Sequence, residues 1–358
     1  MSATRILLLH GYSSINRGDG LLVDESLQMI REVHGEEARI DLVTSYPESF
    51  RYAGLKSYCS KPSYLGYDTK YLRLLLSRFR DYDLVVGVGG GYLRFGTPVE
   101  CLKTLLVMGP QLLAAAASIP PTVYLPQSIG PARFGFGRPL RFLLAKLNRV
   151  WVRDNRSLEQ FGVGQVARAS DLALLAMKRK VHPDVNVLTP VISVREHRGG
   201  VPEGAVVLAG QIGDFDGYVQ SAVAGNNDEL AVRSLKPSKI CTYDEFIGSP
   251  TSARVVVAVR LHAALMAIQA GHYVVHLAYE RKGFGAFEDL GLGDFVFNVH
   301  SFSTSDVEDI VRRLMTDPVA REAYDARIFA ASESIRASRV RVLESLLNST
   351  ARSSVEAP

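Results

Sequence analysis

Cysteine is scarce in this 358-residue chain, which holds only Cys59, Cys101 and Cys241. The three lie far apart, lack metal-ligand spacing and form an odd set, which disfavours a disulfide-stapled secreted scaffold and points to a reducing cytoplasm. Charge of one sign is scarce too: 41 Lys and Arg stand against 37 Asp and Glu, a formal net charge of +4. So mild an excess argues against nucleic acid as a partner and suits a small acidic substrate or an anionic membrane surface. Long apolar runs are missing. The opening "MSATRILLLHGY" is too short for a signal peptide, no small-residue cleavage pattern follows it, and no later run approaches a membrane span. No cluster of His, Cys or carboxylates has the spacing of a metal site. What is plentiful is ordinary globular composition, 47% hydrophobic and 22% charged, over a length that suits two domains.

The order of elements predicts an α/β fold. "RILLLHGY" reads as a buried strand, "INRGDG" as a loop, "LLVDESLQMIREV" as a helix and "ARIDLVTS" as a second strand. A helix around Tyr71 to Phe79, the strand "DLVVGVGGG", a long helix through "CLKTLLVMGPQLLAAAAS" and the strand "TVYLPQSIGP" continue the pattern. After the polar connector Lys178 to Asn186 the alternation restarts with "VLTPVISVRE", "GAVVLAG", a helix near Asn227 to Leu235, "KICTYDEFIGS", "ARVVVAVRLHAALMAIQAG" and "YVVHLAYE". Strands alternating with helices imply mainly parallel sheets covered on both faces, hence two doubly wound, Rossmann-like domains facing each other across a cleft. The expected division is residues 1–180 and 187–330, then a helix over 331–348 and a frayed polar tail over 349–358. Pro318 is expected to interrupt the last helical stretch, which runs from about Val307 to Leu347.

Five strand-to-helix corners carry residues with chemistry. In "GYSSINRGDG", Asn16, Gly18 and Asp19 either cradle a ligand with their backbone or simply serve a tight turn. In "GVGGGYLRFG", Gly89, Gly90 and Gly91 permit close approach of a ligand and equally suit a turn or helix–sheet packing. Their spacing fails the dinucleotide fingerprint and no acidic residue stands where a ribose would need one. In "LPQSIGP", Gln127 and Ser128 offer hydrogen bonds ahead of a Gly-Pro turn. In "VRDNRSLEQF", Arg153 and Asp154 end a strand, and Asp154 fits a helix cap as well as a catalytic group. The fifth corner is "VVVAVRLHAALMAIQAG", where a β-branched strand stops at Arg260-Leu261-His262 and a helix begins at once. Backbone N–H groups and the helix dipole make such a corner a candidate phosphate or carboxylate site. Lys282 follows one strand later, and Arg195, ending "VISVRE", is a further cation on the same edge. Singly, a surface ion pair or a structural histidine explains such residues; their convergence on one edge favours a site.

These motifs, in this order, resemble the polysaccharide pyruvyl transferase family: the first loop (Asn16, Arg17, Gly18, Asp19), the "GGG" turn, "QSIGP", "RD..S" (Arg153, Asp154, Ser157), "SDLAL", "ISVR", "RLH" and "Y..K…F.EDLGL". The resemblance spans roughly Leu7 to Leu292. It implies a fold like that of the two-domain GT-B glycosyltransferases, phosphoenolpyruvate as co-substrate with no bound cofactor, and a sugar with two free hydroxyls as acceptor. It further implies that Arg260, Leu261 and His262 form the donor-binding and catalytic triplet, with Lys282, Arg153 and Arg195 as further donor cations. Departures from the pattern are Ala258 and Pro126 where glycine is common, and the additional glycines Gly283 and Gly285.

Phosphoenolpyruvate carries about −2.5 to −3 charges near neutrality, so several directed cations fit its site and no metal is called for. A histidine at a helix N-terminus suits acid and base work, which makes His262 the expected catalyst. Asn16, Gly18, Asp19, Gly89, Gly90, Gly91, Gln127 and Ser128 are left for the acceptor or the cleft. The segment "ARFGFGRPLRFLLAKLNR" mixes arginines with phenylalanines and leucines; it suits peripheral contact with an anionic membrane and a lipid-linked acceptor, or an ordinary amphipathic helix with a solvated basic face. Two alternatives remain open: a nucleotide-sugar glycosyltransferase, for which Glu280 and Glu288 are a foothold, and a catalytically silent glycan-binding relative.

Overall fold

A computed structural model describes residues 3–182, 189–223 and 226–353. The end of the expected connector, residues 183–186, and the last five residues of the expected tail lie outside the described residues. The chain divides into two compact units. The first consists of Met1–Ser14, Asp19–Leu175 and Arg336–Pro358; the second consists of Ile15–Gly18 and Ala176–Ile335.

In chain order the strands of the first unit are β1 (Arg5–Gly11), β2 (Arg39–Thr44), β3 (Lys56–Cys59), β4 (Leu84–Gly87), β5 (Gly90–Phe95), β6 (Thr122–Ala132), β7 (Arg149–Val152) and β8 (Val166–Arg168). Their order in the sheet is β3-β2-β1-β4-β6-β7-β8, with β5 also paired to β6, and every pairing is parallel. All but the first residue of β1, and all of β4, are buried, as expected of strands covered on both faces. The order reverses between β1 and β4, so the carboxyl ends of those two strands flank a crevice where ligands of such sheets collect.

The second unit repeats the plan with β9 (Val191–Ser193), β10 (Asp216–Tyr218), β11 (Ala222–Val223), β12 (Asn226–Asn227), β13 (Ile240–Cys241), β14 (Val255–Ala258), β15 (Tyr273–Ala278) and β16 (Val296–Asn298). Six of these form a parallel sheet ordered β13-β10-β9-β14-β15-β16, and β11 and β12 form a short hairpin. Here the order reverses between β9 and β14. The helix Leu261–Gln269, rich in Ala and Leu and buried along nearly its whole length, follows β14 and packs back on β14 and β15.

Several expectations about elements need correction. The Gly-Pro of "QSIGP" does not end the strand: β6 runs on to Ala132, with Gly130 at φ +85 absorbing the irregularity. The glycine run opens an additional strand, β5, before the long helix begins at Pro98. The apolar run "GAVVLAG" lies in a helix, Glu203–Ile212. The expected interruption at Pro318 is present, one helix ending at Thr316 and the next starting at Pro318, but that second helix is not confined to 331–348 and continues to Ser353. Its last part, from Arg336, belongs to the first unit, while the loop Ile15–Gly18 belongs to the second. Finally, one helix among the described residues, Pro98–Ala116, is long and apolar enough to cross a membrane, although no such run is expected from the sequence.

Candidate functional site

The cations expected at the second sheet do gather around its order reversal. Arg195 follows β9 and Arg260 follows β14, the two strands flanking the crevice, while Lys282 lies in the first turn of the helix Arg281–Asp289 after β15. Arg260 is buried in extended conformation at the residue before the helix Leu261–Gln269. Its Nε and Nη2 both donate to the carboxylate of Asp228, the Nη2 bond to Oδ1 at 2.6 Å. One edge of the guanidinium is thereby committed and its plane fixed. Burial pushes the Asp228 carboxyl above the usual carboxylate range, against the opposing pull of Arg260 and Arg195. Arg195 donates to the Tyr279 hydroxyl at 3.0 Å and to the Glu196 carbonyl at 3.1 Å, and lies over the Tyr279 ring. Lys282 pairs with Glu280 at 3.0 Å. Three cations are thus accompanied by two carboxylates, a weaker positive field than the cations alone imply.

His262 stands in the first turn of the helix, half-buried. Gly18 packs directly against it: a Cβ on Gly18 would lie 2.5 Å from His262 Nδ1 and 2.9 Å from its Cβ and Cγ. Asn16 bridges to Ser221 in backbone pairing, and Arg17 lies over the Tyr243 ring at 4.2 Å. Asn16 and Gly18 therefore belong to the second unit beside His262, not to the first sheet. Gly283, a departure from the family pattern, is also explained, because a side chain there would run into the His276 ring. His276 is fully buried beneath the helix Arg281–Asp289, its Nδ1 bonded to the Ala258 carbonyl at 2.8 Å, and burial pushes its pKa down to about 4.

Arg153 lies in the first unit. Its Nη1 donates to Asp171 at 2.5 Å and its Nε to Ser128 Oγ at 3.1 Å, all deeply buried. Asp154 caps the helix Asn155–Phe161, accepting from Ser157 N–H and Oγ, both at 2.8 Å. The "RD..S" and "SDLAL" motifs are thus tied to each other by a buried ion pair, while the cap holds "RD..S" to its own helix.

The first sheet has a crevice of its own. A cavity of about 190 Å³ is lined by His10, Tyr12, Asp19, Leu22, Val23, Met108, the run Val88–Gly91 and Tyr92. Gly89 is required because a Cβ would meet the Pro126 carbonyl at 2.7 Å, and Gly90 takes φ +148, open essentially to glycine alone. Gln127 and Ser128 do not line the cavity but stand against its glycine run: Gln127, fully buried in β6, pairs with Gly90, and Ser128 serves Arg153. Sequence reading missed His10. It adopts φ +68, stacks on Tyr92 at 4.4 Å, and holds the Tyr124 hydroxyl with Nε2 at 2.8 Å. Burial lowers its pKa to about 3, so it is neutral. No signal in a strand-like "LLLHGY" marks a left-handed residue; histidine's tolerance of that conformation is the only hint.

A family profile described as polysaccharide pyruvyl transferase matches residues 16–281. No curated protein matches the chain. Among solved structures, Anabaena Alr3699/HepE in complex with UDP-glucose is 12% identical, with 99% of this chain and 100% of that one covered, at TM-score 0.54. The glycotransferase of kitacinnamycin gives 11% identity, coverage of 98% and 100%, and TM-score 0.54. Acinetobacter baumannii MurG gives 11%, 96% and 99%, and TM-score 0.50. At such identity these structures establish the fold, that of GT-B glycosyltransferases, and nothing about a ligand. The profile covers well over half of the chain and includes the Arg260 corner, Arg195 and the Gly18 loop, so this transferase is a member of the polysaccharide pyruvyl transferase family.

Proposed function

We propose that the chain moves a pyruvyl group from phosphoenolpyruvate to a sugar of a glycan or glycolipid precursor and closes it as a cyclic ketal, in the cytoplasm. The observation that carries this reading is the family match over residues 16–281, which embraces the crevice where Arg195, Arg260 and His262 meet a helix N-terminus. Arg260, oriented by Asp228, and Arg195 hold the donor's carboxylate and phosphate, aided by Lys282 and the N–H groups that open the helix at Leu261. His262, as imidazolium, gives a proton to the donor methylene, and the central carbon takes on oxocarbenium character. A sugar hydroxyl adds there and returns its proton to His262. The carbon–oxygen bond to phosphate then breaks, phosphate leaves with the electron pair, and a second hydroxyl closes the ketal while its proton passes to the departing phosphate. The cations stabilise that departure electrostatically, and the scheme calls for no metal.

The acceptor belongs at the crevice of the first sheet. Its cavity offers the aromatic faces of Tyr12 and Tyr92, a neutral His10 and one carboxylate, Asp19, with no lysine or arginine in the lining. That set repels phosphate and suits a neutral, hydroxylated ring, including one carried on a lipid.

Calorimetric titration of phosphoenolpyruvate without added metal tests the donor. Arg260→Ala is paired with Asp228→Ala so that no uncompensated charge stays buried, and Arg195→Ala serves as an independent variant. Binding by the parent chain that both variants lose supports the reading. Binding of UDP-glucose instead would move the protein to nucleotide-sugar transfer. Glycan binding without phosphate release from any donor would leave the silent relative.

A further inference from the structure

The helix Pro98–Ala116 is unusual for one so apolar, because only 28% of its most hydrophobic window is buried. One face is core: Cys101, Thr104, Met108, Leu112 and Ala115 are buried. The opposite face is exposed at Val99, Leu102, Leu105, Leu106 and Leu113, between 42% and 63% each. Residues 99, 102, 106 and 113 follow helical spacing and make one stripe. A π turn at Thr104–Met108, in which the Gly109 N–H donates to the Thr104 carbonyl ahead of Pro110, turns both Leu105 and Leu106 outward.

The neighbouring segment extends this face. β5 and β6 pair at Phe95 and Ala132, so the helix from Pro98 and the loop from Arg133 leave adjacent strand ends, and the helix Gly137–Leu144 packs beside the end of Pro98–Ala116. Phe134 and Phe142 are exposed there, at 64% and 63%. Lys103, Arg133, Arg138, Arg141 and Lys146 are exposed as well, Lys146 over the Phe142 ring. Between residues 98 and 149 the sequence holds six basic residues and a single acid, Glu100, which is tied to Arg94 at 2.9 Å and to the Thr97 N–H at 3.0 Å.

We propose that this face docks on an anionic lipid bilayer, with the helix Pro98–Ala116 lying in the plane of the headgroups. Apolar side chains ringed by cations match the chemistry of such a surface, where leucine and phenylalanine enter the acyl boundary while lysine and arginine meet lipid phosphates. A second copy of the chain is a poorer occupant, because a two-fold contact through this face would set the same cations against themselves. The buried face of the helix is part of the core of its own unit, so the helix lies on the membrane and does not cross it. The inference is independent of which donor the protein uses.

Flotation of the full chain with vesicles of phosphatidylcholine alone or mixed with phosphatidylglycerol tests it. The chain is expected to float with the anionic vesicles, to stay behind with the neutral ones, and to be released as salt rises. Leu102→Glu/Leu106→Glu and Lys103→Glu/Arg138→Glu should each reduce the bound fraction at least tenfold with unchanged denaturation midpoints. Failure of the parent chain to float at low salt overturns the proposal, as does undiminished binding by both variants. A concentration-dependent dimer that Leu102→Glu/Leu106→Glu abolishes, without vesicle binding, overturns it in favour of a second copy.

Discussion

Replacing Gly18 by alanine pushes a methyl group into the ring of His262. The added carbon would sit 2.5 Å from Nδ1 and 2.9 Å from Cγ and Cβ, where unstrained carbon contacts lie at about 3.5–4.0 Å. Relief requires the loop or the imidazole to move by roughly 1 Å, and overpacking of this kind costs about 1–3 kcal/mol. Gly18 is in the first turn of the helix Arg17–His34, so alanine's better propensity returns up to about 1 kcal/mol. The expected net loss is about 0–2 kcal/mol. In a His262→Ala background the Nδ1 and Cγ clashes are gone and only the contact with Cβ at 2.9 Å remains, so the same substitution should cost less. Urea denaturation of the four proteins, compared at a common slope, should therefore return a coupling energy on the order of 1–2 kcal/mol. Additive effects within about 0.5 kcal/mol would refute the contact and, with it, the assignment of Gly18 to steric necessity. Turnover is a second readout: Gly18→Ala, still folded, should lose activity because the imidazole is displaced.

Glu25 is buried with Oε2 lacking a hydrogen-bond partner, and burial, reinforced by Asp24, pushes its pKa from 4.5 up to about 7. The folded chain then holds a proton that the unfolded chain has released, so stability falls as pH rises from about 4.5 to 7, by an amount on the order of 3 kcal/mol. Glu25→Gln should flatten that slope and stabilise the protein at pH values above the window; an unchanged pH profile would count against it. On the acid side, burial lowers His10 to about 3 and His272 and His276 to about 4, so stability is lost as pH falls from 6.5 through that range. His276→Gln should shift the acid unfolding midpoint down, and no shift would mean that His276 is already protonated when folded. Asp171→Asn leaves Arg153 buried without its counter-charge and should cost about 3–5 kcal/mol in denaturation experiments, a penalty that Arg153→Met/Asp171→Leu should largely recover.

What could be read from the sequence were features written locally. Unbroken runs such as "ILLL" and "VVVA" announce strands buried on both faces, and their alternation with helices leads to parallel sheets. The abrupt change from β-branched residues to "RLHAALMA" places Arg260 and His262 at a strand end. Other features depend on partners distant in the chain. Asp228 precedes the helix Glu229–Ser234, yet its side chain makes no capping bond and turns to Arg260, 32 residues on. The sequence around Arg153 does not show that Asp171, 18 residues on, is its buried counter-charge. The four residues Ile15–Gly18 give no sign that they pack with a sheet whose first described strand begins at Val191.

The helix Pro318–Ser353 bears on the order in which the protein is made. Its later half completes the first unit: Ser345 Oγ accepts from the Trp151 indole at 2.9 Å, Ser338 Oγ accepts from the Ser170 N–H at 3.0 Å, and Arg339 reaches Glu32. A ribosome releases these residues after every described strand of both sheets. The first unit therefore waits, with Trp151 uncovered, until Ser345 has emerged, whereas the second unit has all its residues once Ile335 has emerged. Premature termination ahead of Arg336 would consequently strike the first unit harder than the second, although it removes no residue from either sheet.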